Sequence, residues 1–352
     1  MSLKLTFIGA GNINKNHMRS AKELGLEMVG VYDIVQSSAD AIAKEFGVGK
    51  AYTDLAQMLA EKSVDAVVVG TPNKFHAEHS IAALNAGKHV LLEKPMAMSS
   101  AECDAIIVAM KKSGKILQMG MVNRFKNSVG TLKHFIDAGK CGNLYTGQAF
   151  WYRRRGIPGF GGWFTTKSMS GGGALIDIGV HVLDLALYLM KFPKPVAVSG
   201  MTYNVWKELD QYTYTSMWGK PTAGGKKDVD DYALAIVRFA DGQTLQVNVS
   251  WALNYDLSSS SEMGLRLAGD KGGVELKGMD APHIYAEEAG HLVDVKPYFT
   301  TNNAFVDEMK HFAECIENNT QPIASAEQGR TVQSILDAIY RSGEERREIR
   351  LD

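Results

Sequence analysis

The sequence has few cysteines, no excess of either charge and no long apolar run, and each shortage excludes something. Cys103, Cys141 and Cys315 are its three cysteines, far apart and in no CxxC or Cys/His pairing. That pattern argues against a disulfide framework or a zinc site and favours a reducing, cytosolic compartment. A formal net charge of -1 at pH 7 gives no electrostatic case for nucleic acid or for an anionic membrane. No apolar segment reaches membrane-spanning length, and the N-terminal apolar run is one strand long and flows into glycines, unlike a signal peptide. What is present is a 45% hydrophobic chain of 352 residues, which describes a soluble globular protein too long for one ordinary core and suited to two domains.

Short apolar runs alternate with amphipathic patterns in the first third. LKLTFI, LEMVGVYD, VDAVVVGT, HVLLEK and ILQMGMV are separated by segments such as FHAEHSIAALNAG, whose apolar positions recur at three and four. This is repeated βαβ, and runs such as VDAVVVG fit parallel strands buried on both faces. Gly87 and Gly114 fall where a left-handed helix cap is wanted. After about residue 124 longer alternating segments appear, among them NLYTGQAFWY and DYALAIVRFADGQTLQVNVSWAL, and these read as a mostly antiparallel sheet. The expected fold class is therefore α/β: a doubly wound Rossmann domain over 1–123, then an α+β domain with a large, open, mostly antiparallel sheet over 124–352. The stretch from Gln211 to Asp231 reads as an exposed loop.

GAGNINKNH, Gly9 to His17, follows the first strand and carries two glycines at dinucleotide spacing, with Asn14 where a third would stand. Gly9 permits the tight turn and Gly11 lets backbone approach a pyrophosphate. Asn12 and Ile13, at the start of the next helix, offer free N–H groups. Alone this is a weak signal. Asp33 strengthens it, ending the second strand about 20 residues on, where it can accept from a ribose 2′-hydroxyl. An acid there repels a 2′-phosphate, so NAD is expected rather than NADP.

TPNKFH, Thr71 to His76, and EKPM, from Glu93, also follow strands, at the sheet end where ligands of open α/β sheets gather. Helix caps and turns explain Thr71, Pro72 and Asn73 equally well. Lys94 is harder to explain that way, because a lysine beside a cofactor pocket can orient a hydroxyl or move a proton. In GGGALIDIGVHVLDLALYLM, helical spacing puts Asp177, His181 and Asp184 on one face. A metal site, a satisfied structural histidine, and an acid/base histidine whose protonated form is favoured by its carboxylates are all compatible with it. No further cluster completes a metal site, so none is expected.

GAGNINKNH, VYD, TPNKFH, EKP, the NRF of Asn123 to Phe125, and DIGVHVLD, in this order and spacing, resemble the Gfo/Idh/MocA oxidoreductase family over almost the whole chain. The resemblance implies a nicotinamide cofactor in the first domain and a second domain whose open sheet mediates dimers or tetramers. It implies that Lys94 contacts the reacting hydroxyl, that Asp177 helps orient it, and that His181 is the general acid/base. It further implies a cis bond before Pro95, a cofactor site lined by His76 and Glu93, and a third glycine position open to other residues. His17 reads as structural.

Substrate choice falls to the second domain. Candidates are Arg124, Tyr152, Arg154 and Trp163, together with Lys94, Asp177 and His181. Three consecutive arginines, Arg153 to Arg155, cannot all face one pocket. The expected activity is NAD-dependent oxidation of a secondary alcohol on a sugar, cyclitol or derivative, in a cytoplasmic homodimer or homotetramer with no nucleic-acid or membrane partner. Two rivals stand beside it: glycoside cleavage through transient oxidation, and a nicotinamide sensor without catalysis.

Overall fold

The computed structural model describes residues 3–213, 219–257 and 261–351. The chain divides into two compact units, the first comprising residues 1–125 and 303–330, the second residues 126–302 and 331–352.

Unit 1 is built on six parallel strands, β1 (Lys4–Ile8), β2 (Glu27–Tyr32), β3 (Ala51–Tyr52), β4 (Ala66–Val69), β5 (His89–Glu93) and β6 (Leu117–Gly120), in the order β3-β2-β1-β4-β5-β6. All are paired in parallel, so every strand ends at the same edge. The order reverses between β1 and β4, the switch point where such sheets bind ligands. Connecting helices are α1 (Asn12–Glu23), α2 (Gln36–Phe46), α3 (Leu55–Leu59), α4 (His76–Asn85) and α5 (Ser100–Ser113). Gly87 and Gly114 take positive φ just past α4 and at the end of α5, as expected.

Unit 2 carries nine strands: β7 (Leu144–Arg153), β8 (Pro195–Tyr203), β9 (Tyr232–Phe239), β10 (Thr244–Ser250), β11 (Ser261–Gly269), β12 (Gly272–Lys277), β13 (Ala281–Glu288), β14 (His291–Val295) and β15 (Ile349–Arg350). Their order is β14-β13-β12-β11-β7-β10-β9-β8-β15. Among the described residues only β7 and β10 run parallel; the other pairings are antiparallel. Its first helices are α6 (Asn127–Asp137), α7 (Lys167–Ser170) and α8 (Val180–Leu189). Alternation is clear on β9, where Ala233, Ala235, Val237 and Phe239 are buried and Leu234 and Ile236 exposed. One face of the sheet thus packs against α8 and the other is open.

The division differs from the expected boundary at residue 123 in one respect: α9 (Ala304–Asn318) returns to unit 1. Its Met309, Phe312 and Cys315 join a core with Leu5, Phe7, Met18, Val31, Val68 and Leu91, and burying such side chains is favourable by about 1.5–3 kcal/mol each. The following helix, α10 (Ala326–Glu345), contains the unit boundary after Arg330.

Two further expectations change. The helical stretch Lys167–Leu189 is, by length and composition, apolar enough to cross a membrane, and 89% of its most apolar window is buried inside the fold, as in a core helix. The stretch from Gln211 to Asp231 is not simply exposed, since Tyr212, Lys227, Val229, Asp230 and Asp231 are all buried. Residues 214–218 of it lie outside the described residues.

Candidate active site

In unit 1 the glycine loop leaves β1 at the switch point. Gly9 has φ +100°, and a Cβ there would meet the Gly70 carbonyl oxygen at 2.8 Å, so both a left-handed backbone and close approach require glycine. Gly11 opens α1 with no side-chain cap, which leaves the first N–H groups of the helix, at Asn12 and Ile13, for an anion. Asn14 is fully buried, and its amide donates to the carbonyls of Ile8 at 2.9 Å and Gly9 at 2.7 Å. The residue in the third glycine position therefore pins the strand-to-helix turn. Its oxygen would lie 2.6 Å from a Cβ on Gly70, so the close approach usually served by the third glycine is met on the neighbouring strand.

Asp33 follows β2. Its Oδ2 accepts the Ala10 N–H at 2.8 Å and its Oδ1 the Val35 N–H at 2.9 Å, which ties the acid to the glycine loop. An uncapped helix N-terminus, a glycine turn and a fixed acid at one sheet edge fit a dinucleotide.

The loops after β4 and β5 are buckled together by His76. Its two ring nitrogens face the Pro95 carbonyl at 2.7 Å and the Thr71 carbonyl at 2.9 Å. Burial lowers its pKa, with the two carbonyls pulling the other way. His76 thus shapes the edge with both nitrogens engaged on protein. Thr71 also contacts His79, Oγ1 to Nδ1 at 3.2 Å; Pro72 precedes a single 3₁₀ turn, and Asn73 within that turn is buried. The Lys94–Pro95 bond is cis. Glu93 is buried, accepting the Lys94 N–H through Oε2 at 3.1 Å and His17 Nε2 through Oε1 at 2.8 Å. Lys94 itself is half-buried.

In unit 2, Asp177 lies in a π-helical turn, Leu175–Gly179, that runs into α8, where His181 sits. Such turns are rare and collect at functional sites. A Cβ on Gly179 would touch Val249 at 3.3 Å, so the turn rests on the buried face of the sheet. Asp177 is 8% exposed; Trp251 Nε1 donates to its Oδ2 at 3.0 Å, and Arg153 Nη1 lies 3.7 Å from the same oxygen. Arg153 also stands 5.0 Å over the Trp151 ring, and that ring is 6.1 Å from the His181 ring. Burial draws the Arg153 guanidinium below its usual pKa while Asp177 opposes the shift. One face of unit 2 therefore gathers an imidazole, a carboxylate, a guanidinium and two indoles. Asp184, further along α8, is buried.

Three of the expected substrate residues engage other partners or solvent. Arg124 is 3% exposed, and its guanidinium bonds the Ile323 carbonyl and Gln328 within unit 1, a structural task. Arg154 is exposed, while Arg153, one place earlier on β7, points to Asp177; successive side chains on a strand take opposite faces. The same alternation sends Tyr152 to the open face, stacked on Phe150 at 5.6 Å, where burial pushes its phenol up to about 12. Arg155 leans over Trp206 and Tyr212. Trp163 lies half-buried in a short 3₁₀ turn against Phe164. Arg153 belongs to the arginine run from which one member was expected to face the site; Trp151 and Trp251 are the additions, and the place of Trp151 at i, i+2 from Arg153 on β7 is the signal that could have found the first of them.

Residues 3–121 match a family model described as an oxidoreductase family with an NAD-binding Rossmann fold, and residues 129–275 match the GFO/IDH/MocA C-terminal domain. The chain is 33% identical to the D-glucoside 3-dehydrogenase of Escherichia coli (strain K12) over 97% of this chain and 95% of that one. It is 28% identical to the scyllo-inositol 2-dehydrogenase (NAD(+)) of Bacillus subtilis (strain 168) over 92% and 89%. In fold it is similar to a levoglucosan dehydrogenase solved with NADH and levoglucosan, with TM-score 0.88, 22% identity and 99% of each chain covered.

Proposed function

The chain belongs to the Gfo/Idh/MocA family of oxidoreductases, and from that premise we propose that it moves hydride between NAD and a ring hydroxyl of a glycoside, sugar or cyclitol. The observation that carries this is the buried face of unit 2 on which Asp177 and His181 stand with Arg153, Trp151 and Trp251. It supplies one imidazole for a proton, a carboxylate held by a hydrogen bond from Trp251 and an ion pair with Arg153, and in half-buried Trp151 an indole face suited to the C–H surface of a sugar ring. Similarity to a D-glucoside 3-dehydrogenase makes glycosides the first substrates to test.

NAD, when bound, supplies the hydride acceptor. Gly9, Gly11 and the N–H groups of Asn12 and Ile13 hold its pyrophosphate, and Asp33 accepts from its ribose. As the C–H bond breaks, His181 takes the hydroxyl proton, leaving ketone and imidazolium. Lys94 donates to the alcohol oxygen and steadies the negative charge growing there, and Asp177 orients the hydroxyl. No activated nucleophile is needed.

The protein acts in this reading as a cytoplasmic homodimer or homotetramer without nucleic-acid or membrane partners. Exposed Leu234, Ile236 and Tyr203 on the open face of the second sheet support self-association, and light scattering tests it. Cys103, Cys141 and Cys315, which form no disulfide, support a reducing compartment.

Following NADH absorbance while glycosides, anhydrosugars, inositols and aldoses are offered with NAD or NADP tests the activity. Net NADH accumulation with NAD is expected. Aglycone release without it would instead make the protein a glycoside-cleaving enzyme, and NAD binding without turnover of any sugar would make it a sensor.

A further inference from the structure

Glu308, in the middle of α9, is fully buried, and neither carboxyl oxygen has a hydrogen-bond partner among the described residues. The helix packs on α1, and one turn before Glu308 the Phe305 ring meets His17 edge-on at 5.6 Å. His17 is also fully buried; its Nε2 donates to Glu93 Oε1 at 2.8 Å while its Nδ1 has no partner among the described residues. Glu93 Oε2 accepts the Lys94 N–H. Gln118 of β6, the strand beside β5, donates to the backbone carbonyl of Glu308 at 3.1 Å. Two carboxyl groups and one histidine thus share an interior directly behind the Lys94 backbone.

Their unequal surroundings decide where the proton goes. Glu93 has donors for both oxygens, whereas Glu308 has none, and an ionised carboxylate buried without donors takes up a proton instead. Ionisable groups beside them include His76 of α4, held by two carbonyls, Lys94, His311 three residues further along α9, held by Cys315 and the Ile323 N–H, and Arg124 in the turn after β6, held by Ile323 and Gln328. None of these bonds reaches Glu308.

We propose that Glu308 is a positioning residue stored as the neutral acid, so that the buried pair carries one negative charge, fixed on Glu93, where it holds His17 and the Lys94 backbone in place. Burial first, and the charge of Glu93 second, push the Glu308 carboxyl well above the usual carboxylate range. The storage of the proton is independent of the proposed reaction; the effect on turnover rests on Lys94 having the role proposed above.

Two readouts on the full chain, with wild type and E308Q, test the two parts separately. Above the ordinary carboxylate pKa the folded protein keeps a proton that the unfolded chain has lost, so wild-type stability falls as pH rises toward the folded pKa, and E308Q lacks this loss. The thermal midpoint of E308Q minus that of wild type is expected to widen between about pH 5 and about pH 8. A constant offset, or a wild type that gains on E308Q as pH rises, overturns the neutral-acid assignment.

For turnover, E308Q is expected to keep kcat within about threefold of wild type at neutral pH and to move the alkaline limb of kcat up by about one pH unit or more, with little change in the KM for sugar. A widening midpoint difference with an unchanged kcat profile leaves Glu308 merely structural and overturns the positioning role. Should E308Q not fold, Glu308→Met, neutral and of similar length, takes the same two measurements with the same expected and overturning outcomes.

Discussion

Arg153 lies 3.7 Å from Asp177 and 5.0 Å over Trp151, so replacing it removes a donor, a charge and a stacking partner from the face that also holds His181. Arg153→Ala is expected to lower kcat/KM for the sugar by about 10–100-fold, mainly through KM, and Arg153→Lys to recover only part because an ammonium lacks the planar fork. NADH binding, read from fluorescence, should stay unchanged. Arg154→Ala is the control, and an equal loss there would refute the assignment. His181→Ala should lower kcat by about 10²–10⁴-fold, the usual contribution of one acid/base group, with NAD affinity retained. That Asp177 and His181 sit on one continuous helical stretch was legible in their spacing. Which arginine turns inward was not, because facing depends on β7 lying between β10 and β11 with its Trp151 side turned toward α8, and one strand's alternation does not say which of its faces is covered.

The start of the π turn that carries Asp177 is clamped by a residue 53 positions after it. Asp230 Oδ1 accepts the Gly173 N–H at 2.7 Å and the Tyr340 hydroxyl at 2.7 Å, and Oδ2 accepts the Leu175 N–H at 2.9 Å; its backbone carbonyl takes the Ala174 N–H at 3.0 Å. A Cβ on Gly173 would lie 1.8 Å from that carbonyl oxygen, so the clamp demands glycine there. Three orphan N–H groups at the head of the π turn are thereby satisfied by one residue. Asp230→Ala should cost about 1–3 kcal/mol through its unsatisfied buried partners, and should lower kcat more than sugar KM, because Asp177 and His181 lose their fixed aim. Tyr340→Phe removes one of these bonds and should cost about 1 kcal/mol. Chemical denaturation and steady-state kinetics read both; an Asp230→Ala protein with wild-type kcat would show that the clamp serves stability alone. None of this was readable in sequence, where Asp230 belonged to a polar, glycine-rich stretch resembling a surface loop. The glycine turn, Asp33 and the βαβ alternation were readable because their partners are local, as the Asn14 staple on Ile8 and Gly9 illustrates.

At the scale of the whole molecule, the return of α9 to unit 1 escapes sequence reading for a related reason: its amphipathic pattern shows that one face is buried but not against which sheet. Its arrival buries Glu308 and half-buries His311 in unit 1, where four histidines have lowered pKa values, chiefly by burial: His76, His79, His311, and His89, the last brought to about 4. A histidine with a depressed folded pKa stays neutral while the unfolded chain takes up a proton, so its stabilisation is complete above the ordinary value of 6.5 and is lost as pH falls toward the folded value. Buried Glu308 and Asp230 carry raised values and act in the opposite sense, losing stability as pH rises above the carboxylate range. Below 6.5 four histidines oppose two acids and the histidines dominate; above it only the acids among these groups still act. The thermal midpoint should therefore peak near about pH 6.5 and fall on both sides. His89→Gln should flatten the acid side and E308Q the alkaline side. Calorimetry across that range checks this, and a midpoint that climbs steadily from about pH 6.5 to about pH 8 would mean that the buried acids are ionised in the fold.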